Sequence, residues 1–173
     1  MKKKSIWFAI LATLFAAGGI GSYFLYWIYQ VEPGMWGGNF GYEVALNFDG
    51  TNRNLLAFFG LAWLAIAFLV SLVWMIVKFA TSKKQVDHEK PFKAGRAIFI
   101  LVIGAFLCFA PLIGAASAME VYGVANDTYP MINPSTGVLT NYGYFMGEGI
   151  PLAGICGVLA GVSFFYAYSG IIE

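Results

Sequence analysis

Histidine occurs once in the 173 residues, at His88, and cysteine twice, at Cys108 and Cys156. A haem held between two histidines of this chain is thereby excluded, as is a His-rich copper or zinc site. No Gly-rich phosphate loop, GxSxG or Cys-x-x-Cys occurs, so neither a phosphate cradle nor an activated nucleophile assembles from these residues. The expectation is a protein with no catalytic residue, no metal and no cofactor of its own, and His88, within "KKQVDHEKPFK", reads as a solvated loop residue. Charge is equally scarce. Only 11% of residues are charged and 60% are hydrophobic, against roughly 25% charged in a soluble domain, so such a surface belongs in lipid.

A bilayer-crossing helix needs about 20 mostly apolar residues, and four runs of that length are present. They cover about 5–30, 54–80, 97–119 and 149–172, leaving outer loops 31–53 and 120–148 and an inner loop 81–96 within a single membrane domain. Basic residues set the orientation, because short loops rich in Lys and Arg stay cytoplasmic. Lys2, Lys3, Lys4, Lys78, Lys83, Lys84, Lys90, Lys93 and Arg96 share one side, and only Arg53 lies on the other. Glu32, Glu43, Asp49, Glu120, Asp127 and Glu148 gather on the outer side. Both termini are therefore expected inside, in a plasma or cytoplasmic membrane. Tyr26, Trp27 and Tyr29 are read as an aromatic girdle at the outer end of the first span, with Trp7 at its inner end and Trp74 toward the inner end of the second. The start "MKKKSIWFAILATLFAAGG" has the make-up of a secretory signal, but its apolar run continues to Tyr29, longer than such a core; a retained helix is expected.

Inside lipid, helices associate through close backbone approach at small residues. The fourth span carries Ala153, Gly157 and Gly161 at intervals of four; the first has Ala17 with Gly21, and the third has Ala110, Gly114 and Ala118. The second is bulkier, with Phe58, Phe59, Trp63, Phe68 and Trp74. Spans one, three and four are thus expected to pack tightly while much of the second faces lipid or a partner. Pro111 removes a backbone donor and predicts a kink near Leu107. The two cysteines read as small packing residues. No ionisable residue sits in the middle of a span, which weighs against a proton-coupled transporter. The basic inner loop reads as an orientation signal, with attraction to anionic lipid as its alternative, and nucleic-acid binding is not expected.

The outer segments exceed what four spans require. Phe40, Tyr42, Val44, Leu46 and Phe48 alternate with other residue types, the pattern of a strand, closed by a turn at Asp49-Gly50. "TYPMINPSTGVLTNYGYF" places a turn signal at 133–137 between Met131, Ile132 and Val138, Thr140, Tyr142, Tyr144, which reads as a hairpin. Strand and hairpin together predict a three-stranded cap. Asn47, Asp49, Thr51 and Asn54 form a loosely calcium-like series without the closing Glu of an EF-hand loop. Asn126-Asp127-Thr128 matches a glycosylation acceptor.

The expected class is an all-α membrane protein: a four-transmembrane-helix bundle with a small extracytoplasmic β-cap. In topology, and in "GMW" at Gly34 to Trp36 with Arg53 at the head of the second span, the chain resembles the claudin and peripheral-myelin-protein families in shape. It departs from claudins in a shorter first loop without a cysteine pair after the tryptophan. The functional expectation is a non-catalytic accessory or structural subunit of a larger integral membrane complex, of respiratory or monooxygenase type. The alternatives are a self-associating tetraspan scaffold or adhesion protein and, behind both, a small transporter or channel. Besides lipid, its partners would be other membrane subunits or copies of itself. The expected contact residues are Trp36, Phe40, Tyr42, Tyr142, Tyr144, Gly157 and Gly161.

Overall fold

The computed structural model describes residues 2–32, 35–46, 54–81, 94–121 and 129–168. Several of the readings above lie outside them: Gly34, the turn at Asp49-Gly50, most of the calcium-like series, Arg53, His88 with most of the basic loop, and Asn126.

The chain is mostly helical, with a small antiparallel sheet. Its elements are α1 (Lys2–Ser22), β1 (Tyr26–Glu32), β2 (Met35–Phe40), α2 (Gly41–Leu46), α3 (Leu55–Thr81), α4 (Ala94–Val121), β3 (Tyr129–Ile132), β4 (Leu139–Met146) and α5 (Gly149–Tyr168). Among the described residues three helices are long and apolar enough to cross a membrane, over Leu55–Ile76, Ile98–Val121 and Gly149–Tyr168. The apolar part of α1, Ile6–Ser22, is shorter.

The four long helices form a closed ring of contacts in the order α1, α5, α4, α3. Of the three long apolar helices α5 is the most enclosed and α3 the least; Phe59, Ile66, Leu69, Val73 and Ile76 of α3 are exposed, while Trp63, Phe68 and Trp74, part of the bulk on which that expectation rested, pack on the core. The seam between α4 and α5 explains the small residues. A side chain at Gly157 would meet the Leu107 carbonyl and the Pro111 ring at 3.0 Å, and one at Gly161 would collide with Cys108 and the Gly104 carbonyl. Pro111 cannot donate to Leu107, so that carbonyl loses its ladder partner, and the bare Gly157 backbone is what approaches it. α4 nevertheless continues unbroken through Pro111. Cys108 and Cys156 are free thiols used for packing: Cys108 Sγ lies 3.4 Å from the Val158 carbonyl, and Cys156 closes on Gly18.

The interior divides into two clusters. The lower one joins Ala9, Ala12, Ala16, Ala67, Leu107, Ala160 and Phe164. The upper one joins Tyr23, Trp27, Ile28, Val44, Ala45, Ala57, Leu64, Ala118, Ile150 and Ala153, so residues of the cap and of α3, α4 and α5 share one core, with Ile20 of α1 packed against it.

Two expectations about the first outer segment are corrected. The first span does not run to Gln30: α1 ends at Ser22, and Tyr26–Glu32 is a strand. Its aromatic and β-branched residues suit a pleated surface, and it gains ladder partners on both sides, β2 and β4. Nor is Phe40–Phe48 a strand. Gly41–Leu46 is helix α2, with the Glu43 carboxylate accepting the Phe40 N–H at 2.8 Å, the back-reach of a capping box. Val44 and Ala45, adjacent rather than alternate positions, go into the core; Phe48 lies outside the described residues.

The cap is accordingly a four-stranded sheet in the order β2-β1-β4-β3, antiparallel throughout. The second-loop hairpin is present as read, with Gly137 at φ 67° and its amide bonded to the Asn133 carbonyl at 2.8 Å. Asn54, offered above as a cation ligand, is instead the N-cap of α3. Its Oδ1 accepts the Ala57 N–H at 3.0 Å while its amide nitrogen donates to Ser117 Oγ at 3.2 Å. Asn54→Ala is expected to cost about 0.5–2 kcal/mol, read as a lower unfolding midpoint in detergent.

Candidate functional site

The cap is attached through Trp27, the bulged residue between Tyr26 and Ile28 in the pairing of β1 with β2. Its indole points away from the face carrying Tyr26 and into the upper core, where it is fully buried, and the bulge lets Ile28 follow it inward. Its Nε1–H donates to the Ser22 carbonyl at 3.1 Å, at the end of α1. Gly41 and Gly149, the first residues of α2 and α5, lie against the Nε1 and Cδ1 atoms of the indole so closely that a side chain on either would collide with it. Tyr23 packs on it with ring centroids 4.5 Å apart and donates its hydroxyl to the Ala57 carbonyl of α3 at 3.0 Å. Backbone bonds finish the junction: Tyr42 N–H to Tyr23 O at 2.8 Å, Gly41 N–H to Leu25 O at 3.1 Å, and Gly147 N–H to Trp27 O at 2.7 Å. The end of α1 and the starts of α2 and α5 thus meet at one side chain, with α3 tied in through Tyr23 and the segment just after β4 through the Trp27 carbonyl. Trp27, expected as an interfacial anchor, is the hub of the cap's attachment.

The register divides the sheet into two faces. Residues directly opposite each other share a face, so Ile28, Asn39 and Met146 lie on one, together with Tyr142 and Tyr144 by alternation along β4. Ile28 and Tyr144 pack on the upper core and Tyr142 is buried; this is the inward face. The opposite, outward face carries Tyr26 with Phe40, Tyr29 with Gly38 and Phe145, Val31 with Trp36 and Gly143, and Leu139 with Ile132. Trp36 is 75% exposed, Leu139 68% and Ile132 66%. No charged side chain stands on these outward rows. Gly143, at φ 126° in the middle of β4, fits the strand without the strain another residue would incur there.

An aromatic row leads onto this face from the end of α1. Phe24 contacts Tyr42 at 5.8 Å, Tyr42 stacks on Phe40 at 5.5 Å, Phe40 on Tyr26 at 4.3 Å, and Tyr26 adjoins Tyr29 at 5.1 Å. The row ends where the Tyr29 hydroxyl donates to Glu148 Oε2 at 2.6 Å, just before α5. That donated bond, helped by a backbone bond at the helix start, holds the Glu148 carboxyl below its usual range; the same bond, with burial, pushes the Tyr29 phenol up. A depressed carboxyl stabilises the fold above its ordinary value, near pH 4.3, and the contribution is lost as pH falls through the depressed folded value. Tyr29→Phe is expected to return the Glu148 titration toward the ordinary glutamate value. NMR titration of that carboxyl checks it, and an unchanged midpoint would refute the assignment.

Of the residues expected to make contacts, the structure brings Trp36, Phe40 and Tyr42 together on or beside the outward face. Tyr142 and Tyr144 lie on the inward face, and the Tyr142 hydroxyl has no hydrogen-bond partner among the described residues. Gly157 and Gly161 face α4 of the same chain. Sequence reasoning did not single out Val31, Phe145, Leu139, Gly41 or Gly149; the alternation of Leu139, Asn141, Gly143 and Phe145 along β4 was the one local signal. Among the described residues no group of three or more His, Cys, Asp or Glu side chains is placed to hold a metal ion. No protein-family model matches the chain, and no curated protein or solved structure matches it either.

Proposed function

We propose that the chain is a four-span membrane protein with both termini inside and the sheet outside, serving as a non-catalytic accessory subunit of a larger integral membrane complex. The observation that carries this reading is the cap itself. It is fastened to the bundle through the buried Trp27 junction, yet it holds apolar side chains in the open, above all Trp36. Large aromatic residues held in the open on a sheet are what protein interfaces favour.

For α1 to cross, its apolar length of about 25 Å at 1.5 Å per residue needs completing to about 30 Å. Phe24 and Leu25, both exposed just beyond it, supply apolar bulk at that end, and the lysines of the first turn mark the inner side. A respiratory or monooxygenase assembly suits a small subunit without redox ligands of its own. The second reading, a self-associating scaffold, is favoured by one feature: β2 and β3 are edge strands of the sheet, and open edges invite pairing.

Extraction from the protein's own membranes in mild detergent, with identification of stoichiometric companions, tests the proposal. Distinct, redox-active partner chains are expected. A homopolymer supports the scaffold reading instead, and a lone monomer contradicts both.

A further inference from the structure

We propose that the outward face of the sheet, centred on Trp36 with Tyr29, Val31 and Phe145, docks a different protein chain through an apolar patch edged by Lys or Arg. The inference rests on the subunit reading above and specifies the surface and the partner's chemistry. Three observations carry it. The outward rows hold aromatic and aliphatic side chains with glycines between them, and at Gly38 the Tyr26 ring covers the missing side chain, so the surface is flat as well as apolar. The rings are held in place, by stacking of Tyr26 on Phe40 and by the Tyr29 bond to Glu148; binding therefore orders few side chains and the entropy cost is low.

The charge around the face has one sign. At the end of the face that carries Tyr26 and Phe40, Glu148 is bonded to Tyr29 on the β4 side and Glu43 lies 3.5 Å from the Tyr42 hydroxyl on the β2 side. The described cap residues include no Lys or Arg, and Arg53 is the single basic residue in outer loops that also carry Asp49, Glu120 and Asp127. Two copies meeting through this face in a twofold arrangement present the same surface to each other, and neither offers a basic side chain from its described cap residues to meet these acids. A basic-edged partner places opposite charges there, which sets register and speeds encounter.

The test places a photo-cross-linking amino acid at position 36 of the full chain in its own membranes, with the same probe at Met131, on the other face, for comparison. The expected result is an adduct to a different chain from position 36 at several times the yield from position 131. The paired change Glu43→Gln with Glu148→Gln keeps an amide oxygen to accept from the Phe40 N–H and from the Tyr29 hydroxyl and removes both charges. It is expected to cut that yield at least threefold and to abolish its dependence on salt between 50 and 500 mM, conditions under which surface charges are progressively screened. An adduct to a second copy of this chain, an adduct to lipid alone, or a yield indifferent to the paired change overturns the proposal. If companions still co-purify while position 36 gives no adduct, this surface is wrong and the subunit reading stands; if none co-purify, both fail.

Discussion

Replacing Trp27 with alanine is expected to destabilise the protein by about 3–5 kcal/mol, the range for removing a buried large aromatic side chain. The site has little means of collapsing. Gly41 and Gly149 offer no side chain to move inward, and the backbone around the indole is held by the bonds to Leu25, Tyr23 and Trp27 carbonyls. The Ser22 carbonyl also loses the indole N–H. Because this one side chain joins β1 to α1, α2 and α5, the loss should be felt first as detachment of the cap. Amide exchange in β1 and β4 is expected to accelerate by orders of magnitude while the lower cluster around Leu107 and Phe164 stays protected. Uniform loss of protection would mean that cap and bundle unfold as one unit. Trp27→Phe, which keeps an aromatic ring but gives up the hydrogen bond and part of the volume, is expected to fall between the wild type and the alanine variant.

The second large effect is expected at the seam of α4 and α5. Gly161→Leu forces a branched side chain into space filled by Cys108 and the Gly104 carbonyl. The obstruction is backbone, which does not rotate aside, so the helices must separate. Overpacking of a tight core costs about 1–3 kcal/mol and at times more. With dispersion between close helices as a principal attraction in lipid, the upper part of that range is expected. The measurement is the detergent-solubilised unfolding midpoint, compared with Val162→Leu on the neighbouring exposed position, which should change little. Equal midpoints for the two variants would show that the seam does not carry the bundle. Gly157→Leu, pressing on Leu107 and Pro111, is expected to act in the same direction.

The bundle was legible in the sequence where composition alone decides. The second, third and fourth spans were read within a few residues of α3 and α4 and at the true start of α5, because a long apolar run bounded by polar residues has one interpretation. The hairpin of β3 and β4 was legible because Asn133-Pro134-Ser135-Thr136-Gly137 is turn chemistry with a mechanism. The first outer segment was not. "YFLYWIYQV" continues the apolar run of α1 without a polar break, and only its pairing with β2 and β4, more than a hundred residues apart in the second case, makes it a strand. At 41–46 apparent alternation prevailed over the Glu43 cap, and the actual burial of adjacent Val44 and Ala45 depends on tertiary contacts. The site shows the same division. Trp36 was recognisable as an aromatic in a loop, while the Trp27 hub depends on Gly41 and Gly149, distant in sequence and ordinary in isolation.

A cap on the side opposite the N-terminus requires α1 to cross the membrane. Single cysteines at Lys3→Cys and Gly37→Cys, introduced with Cys108 and Cys156 replaced by alanine, report it; Gly37 has open space for a side chain. With a membrane-impermeant maleimide on sealed cells, position 37 is predicted to label fully and position 3 only after permeabilisation. Labelling of both positions from the same side would contradict the four-span arrangement and the outward cap that depends on it.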